Sequence, residues 1–150
     1  MAKTVQRLLG HTLALGLVIG SASMAHALPQ CDAIHAVNTL AKKNYRTKLP
    51  DDMDGAEFCI TSTALGGAKT FHCAWQFNFR DPSALNAVRQ IDETLRRCLP
   101  ALEPTTKDQP VNHPDFYDQQ EYQLDGIKIT LSLKDKGALQ QTLVFLAIGG

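Results

Sequence analysis

The chain has 150 residues, with 15 Lys+Arg against 15 Asp+Glu and four cysteines. That balance excludes the basic excess on which nucleic-acid binding depends. Beyond the first 27 residues no apolar run approaches the ~20 residues that a membrane-spanning helix needs.

Residues 1–27 read as a cleavable secretory signal. Lys3 and Arg7 give a basic start, and no acidic residue precedes Asp32. Leu8 to Ile19 form the apolar core, and Gly20-Ser21-Ala22-Ser23 leads to Ala25-His26-Ala27. Small side chains one and three residues before the cut fit a signal-peptidase pocket, so cleavage after Ala27 is expected. Arg7 is single, which excludes a twin-arginine signal, and Pro29-Gln30 before Cys31 does not suit a lipidated cysteine. The expected product is a soluble exported domain, residues 28–150, in the periplasm or outside the cell. Losing Lys3 and Arg7 leaves 13 Lys+Arg against 15 Asp+Glu, a net charge of about −2.

Cys31, Cys59, Cys73 and Cys98 all follow the cut, and an even count in an oxidising compartment points to two disulfides. Gaps of 28, 14 and 25 residues lack the close C-x-x-C pairs of zinc knuckles and of thioredoxin-type enzymes.

In chain order, Cys31 to about Arg46 predicts a helix, with Cys31, Ile34, Val37, Leu40, Ala41 and Tyr45 on one face. Lys42, Lys43, Arg46 and Lys48 crowd its end, where cations suit the helix dipole. Pro50 to Gly55 predicts a loop. Glu57–Leu65 and Lys69–Arg80 predict a hairpin around Gly66-Gly67. In its second strand Phe71, Cys73, Trp75, Phe77 and Phe79 point one way. His72, Ala74, Gln76, Asn78 and Arg80 point the other.

Asp81-Pro82-Ser83 opens a second helix with Leu85, Val88, Ile91, Leu95, Cys98 and Leu99 as its buried stripe. A loop then runs to about Pro114. Strands follow at roughly 116–124, 127–134 and 139–148, with Asp125-Gly126 as a tight turn. The order α-β-β-α-β-β-β predicts an α+β two-layer sandwich, an antiparallel five-stranded sheet with both helices on one face. Antiparallel helices then favour Cys31–Cys98 with Cys59–Cys73. Cys31–Cys59 with Cys73–Cys98 stays open as the alternative.

Three features invite a functional reading. Asp51-Asp52-Met53-Asp54-Gly55 fails as a calcium loop, since Pro50 and Thr61 occupy the outer ligand positions, and a solvated acidic loop is expected. His72, Gln76, Asn78 and Arg80 form a candidate polar strip on one strand face. In the last strand Leu143, Phe145 and Ala147 alternate with Val144, Leu146 and Ile148, so both faces are apolar. Val144, Leu146 and Ile148 are taken as a candidate surface for a protein partner or a second copy. No cofactor, metal or catalytic signature assembles. The expectation is a non-enzymatic protein-binding domain of inhibitor, immunity or chaperone-like type. The rival is a small enzyme or ligand binder using the polar strip or the 51–54 loop.

Overall fold

A computed structural model describes residues 28–47, 52–105 and 116–149. The expected leader, Asp51 and most of the loop before Pro114 lie outside these residues.

Among the described residues the elements run α1 (Cys31–Ala41), β1 (Phe58–Thr63), β2 (Lys69–Asn78), α2 (Pro82–Cys98), β3 (Glu103–Thr105), β4 (Tyr117–Leu124), β5 (Ile127–Lys136) and β6 (Gln141–Gly149). The strands form one antiparallel sheet in the order β1-β2-β6-β5-β4-β3. The α+β class is as expected, with a sixth strand added. Residues 103–105, expected to be loop, pair with Glu121–Gln123 at the sheet's edge. Their hydrogen bonds come from a tertiary neighbour, which no local pattern in Glu-Pro-Thr announces.

Both helices pack against one face of the sheet. That face carries Phe71, Cys73, Trp75 and Phe77 of β2, Val144, Leu146 and Ile148 of β6, and Ile129, Leu131 and Leu133 of β5. Against it lie Ile34, Val37 and Ala41 of α1, and Ala84, Ala87, Val88, Ile91, Leu95 and Cys98 of α2. Burying each larger aliphatic or aromatic side chain contributes about 1.5–3 kcal/mol. Leu85 departs from the expected stripe and is 47% exposed. Alanines at 84 and 87 face the sheet instead, which brings the helix close to it.

α2 starts as its sequence dictates. Asp81 caps it by accepting from the Ser83 backbone N–H at 2.8 Å, and Pro82 holds the first turn. α1 stops at Ala41, earlier than expected. Asn44 (φ 48°) and Tyr45 (φ 50°) enter the left-handed region, which turns the chain and drives Tyr45 into the core. β2 likewise ends at Asn78, because Arg80 adopts φ 57°. Asp125 (φ 49°) and Gly126 (φ 80°) make the expected tight turn between β4 and β5.

The disulfides are Cys31–Cys98, joining the start of α1 to the end of α2, and Cys59–Cys73, joining β1 to β2. This is the nested pairing. Among the described residues no helix is long and apolar enough to cross a membrane.

Candidate functional site

The sheet face away from the helices divides into two halves. Strand alternation and register place Phe58 and Ile60 of β1, Ala74 of β2, and Leu143, Phe145 and Ala147 of β6 on this face. Phe58 is 42% exposed and Ile60 55%. Toward β4 the same face turns polar. Lys128 Nζ pairs with Glu121 at 2.9 Å, and a chain of side-chain hydrogen bonds links Tyr117, Gln119 and Glu121. Lys134 Nζ also sits 5.7 Å from the Tyr117 ring centre. The apolar half therefore lies toward the β1 edge, and the charged half toward β3.

A serine–histidine contact sits within the apolar half. Ser62 Oγ lies 2.8 Å from His72 Nε2, across the β1–β2 ladder. Burial lowers the His72 pKa, so the ring is neutral at pH 7 and able to accept the serine proton. The sheet row through His72 runs Ile60, His72, Ala147, Thr130, Glu121. Its nearest carboxylate is three strands away, roughly 14 Å at the usual ~4.8 Å strand spacing.

The two sheet edges also differ. β3 is three residues long and carries Glu103 and Pro104, features that discourage pairing with another strand. β1 is six residues of Phe-Cys-Ile-Thr-Ser-Thr, with neither charge nor proline and in unbroken register with β2. The Ala64 N–H donates to the Ala68 carbonyl at 2.8 Å, so 64 and 68 form a hydrogen-bonded pair. Cys59 and Cys73 approach to 4.1 Å between Cα atoms, the close spacing of a non-hydrogen-bonded pair. Alternation between these positions turns the N–H and C=O of Cys59, Thr61 and Thr63 outward. Among the described residues β2 is the sole strand neighbour of β1.

The expected site residues fall as follows. His72, Gln76 and Asn78 share the helix-free face. Arg80 leaves it: its backbone N–H donates to Thr142 Oγ1 at 2.8 Å and its Nε to the buried Asp135 at 3.3 Å. Both partners belong to the helix-covered face. Arg80 there borders a cleft of about 310 Å³ with Leu85, Phe116, Leu133, Asp135 and Thr142.

Val144, Leu146 and Ile148 are corrected as a partner surface, since all three are buried under the helices. β6 lies inside the sheet, between β2 and β5, so one apolar face meets the helices. The outward set is Leu143, Phe145 and Ala147. In the acidic loop Asp52 and Asp54 are exposed, and Asp54 serves through its backbone carbonyl, which accepts from Trp75 Nε1 at 3.1 Å.

Sequence reasoning missed the Ser62–His72 contact, although counting back equally from the Gly66-Gly67 turn pairs their strands. It also missed Phe58 and Ile60, because two apolar residues in a short strand do not show which face the helices will leave bare. No protein-family model matches the chain, and no curated protein matches it.

Proposed function

We propose that the chain is an exported domain that works by protein–protein contact, using the β1-side half of the helix-free sheet face. The observation that carries this is the division of that face: Phe58 and Ile60 stand exposed, with half-buried Phe145 and Ala147 across β2 on the same face, while charges collect at the opposite edge. Apolar surface gathered in one place and rimmed by polar groups is how protein-contact surfaces are built. The leader-like residues 1–27 and the two disulfides support export to an oxidising compartment, the periplasm or beyond. Inhibitor, immunity-type and chaperone-like roles all use such a surface.

Site-specific photocrosslinking in the native envelope tests it, with the reactive side chain at Ile60, or at exposed Arg89 on α2. Adducts of a defined protein from position 60, lost in the Phe58→Asp variant, are expected. Equal adducts from position 89, or none from position 60, would reject the proposal.

The Ser62–His72 contact favours a second reading, a small hydrolase with His72 as base and Ser62 as nucleophile. Labelling of the mature domain by a fluorophosphonate, abolished by Ser62→Ala and by His72→Gln, would support it. An unlabelled wild-type domain would sink it.

A further inference from the structure

We infer that one end of the domain docks on a bilayer surface carrying anionic phospholipid. The tip of the β1–β2 hairpin enters the headgroup layer, and a basic turn behind it meets the phosphates. This goes beyond the protein-contact reading and uses a different surface. Three observations converge on it.

The first is charge. Residues 33–50 and 58–80 contain no Asp or Glu, although acids and bases balance over the whole chain. The fold brings turns of these two stretches together at one end of the sheet. Asn44, in the turn after α1, donates from Nδ2 to the Gly67 carbonyl at 2.9 Å and accepts from the Lys69 N–H at 2.7 Å. Lys42, Lys43, Arg46 and Lys69 are thereby gathered at the base of the hairpin. Lys42 is paired with Asp125 of the β4–β5 turn at 2.7 Å. Among the described residues Lys43, Arg46 and Lys69 have no carboxylate partner. Lys42, Lys43, Asn44, Arg46 and Thr47 line an open cleft of about 470 Å³, which accommodates a phosphate headgroup.

The second is that α1 does not need these cations. It stops at Ala41 with no basic residue in its last turn, so the expected dipole role falls away. The carbonyls of Asn38, Leu40 and Ala41 accept instead from the backbone N–H groups of Lys42, Lys43, Asn44 and Tyr45. Buried Tyr45 and the Asn44 clamp hold the turn in place, so binding does not have to order its backbone.

The third is the hairpin tip. Ala64-Leu65-Gly66-Gly67-Ala68 carries no polar side chain, although Asn, Asp and Ser are common turn residues. Leu65 at the apex is fully exposed. The Ala64 N–H donates to the Ala68 carbonyl and the Gly67 N–H to the Ala64 carbonyl, so the tip satisfies part of its own backbone on leaving bulk water. One exposed leucine is ordinary on a protein surface. An uncharged apex backed by uncompensated cations combines apolar insertion with attraction to anionic lipid, the two terms of membrane-surface binding.

Co-sedimentation of the oxidised mature domain with vesicles is the test. Binding to equimolar phosphatidylglycerol and phosphatidylcholine is expected, with little to phosphatidylcholine alone and less as salt is added. Lys43→Gln and Arg46→Gln should each weaken it about 5-fold, and Leu65→Ser about 10-fold. Arg89→Gln, which removes the same charge from the exposed side of α2, should leave it unchanged. Leu65→Trp should report entry directly, its emission shifting blue on the mixed vesicles and quenched by brominated lipid. Circular dichroism should stay constant throughout, because every replaced side chain is exposed.

Absence of binding overturns the inference, as does equal binding to the two vesicle types. So does binding that survives Leu65→Ser or the two glutamine variants. Displacement by soluble glycerophosphate, matched to the lipid phosphate, would make the cluster a site for small phosphates and reject the membrane. Photocrosslinking from Ile60 is read separately, so either proposal can fail alone.

Discussion

Tyr45 Oη donates to the backbone carbonyl of Ile148 at 2.6 Å, joining a turn after the first helix to the last strand across 103 positions. The left-handed backbone at Asn44 and Tyr45 makes this reach feasible. Its ring also lies 6.4 Å from that of Phe71, so the residue locks α1 over β2 and β6. Tyr45→Phe keeps the ring and removes the bond. The expected cost is about 1–2 kcal/mol in urea unfolding at pH 7, with Phe71→Leu costing comparably through packing alone.

Tyrosine burial also sets an alkaline limit. Burial raises the Tyr45 pKa, and burial together with Asp92 pushes that of Tyr122 up to about 12. A raised pKa means the neutral form is favoured in the fold. That stabilisation is complete below the unfolded value of about 10 and is lost as pH climbs through the folded value. Stability should therefore fall between pH 10 and 12. Tyr122→Phe should flatten that fall while leaving α2 tied to β4 less firmly. Unfolding free energy measured from pH 8 to 12 checks both.

The two disulfides should differ in weight. Cys31–Cys98 closes 67 residues and Cys59–Cys73 closes 14. Loop-closure entropy gives about 4 kcal/mol for the longer loop and about 3 kcal/mol for the shorter. Replacing Cys31 and Cys98 by serine should thus lower the melting temperature more than replacing Cys59 and Cys73. Denaturant titration of the two double variants against wild type reads the difference.

Much of this fold is legible in the sequence because short-range physics decides it. Asp81-Pro82 starts a helix, Asp125-Gly126 turns a hairpin, and alternation from Phe71 to Phe77 marks a core strand. The nested disulfides follow from the same layout. What stays hidden depends on neighbours. Glu103–Thr105 is a strand only because β4 lies beside it. Val144 and Phe145 are equally apolar, and which of them meets the helices is settled by how β6 seats between β2 and β5. Phe58 and Ile60 gain meaning only once β1 is known to be an edge.

Thr142 is the hub of a buried polar latch. Its Oγ1 accepts from the Arg80 N–H at 2.8 Å and donates to Asp135 Oδ1 at 2.6 Å. Thr142→Val is isosteric and removes both bonds, leaving a backbone N–H and a buried carboxylate short of a partner. The expected loss is about 2–3 kcal/mol. Asp135→Asn retains an acceptor for Thr142 and weakens only the pairing with the largely exposed Arg80, so its loss should be under about 1 kcal/mol. A loss in Asp135→Asn as large as that in Thr142→Val would show that the ion pair contributes as much as the hydroxyl and would overturn this ranking.

Gly149 stands where β6 crosses between its neighbours, with Thr70 on one side and Lys128 on the other. A Cβ there would come within 2.4 Å of the Lys69 carbonyl oxygen and 2.7 Å of the Thr70 Cα. Both obstacles are backbone, so no rotamer relieves them. Gly149→Ala must push β2 and β6 apart at this row, at an expected cost of about 1–3 kcal/mol. Gly66→Ala, whose new methyl would meet nothing within 4 Å, is the control and should change stability little. Thermal melts rank the two variants. Amide exchange then locates the damage: faster exchange at Thr70 and Lys128, with α1 and α2 unchanged, is the outcome that steric separation of the strands requires.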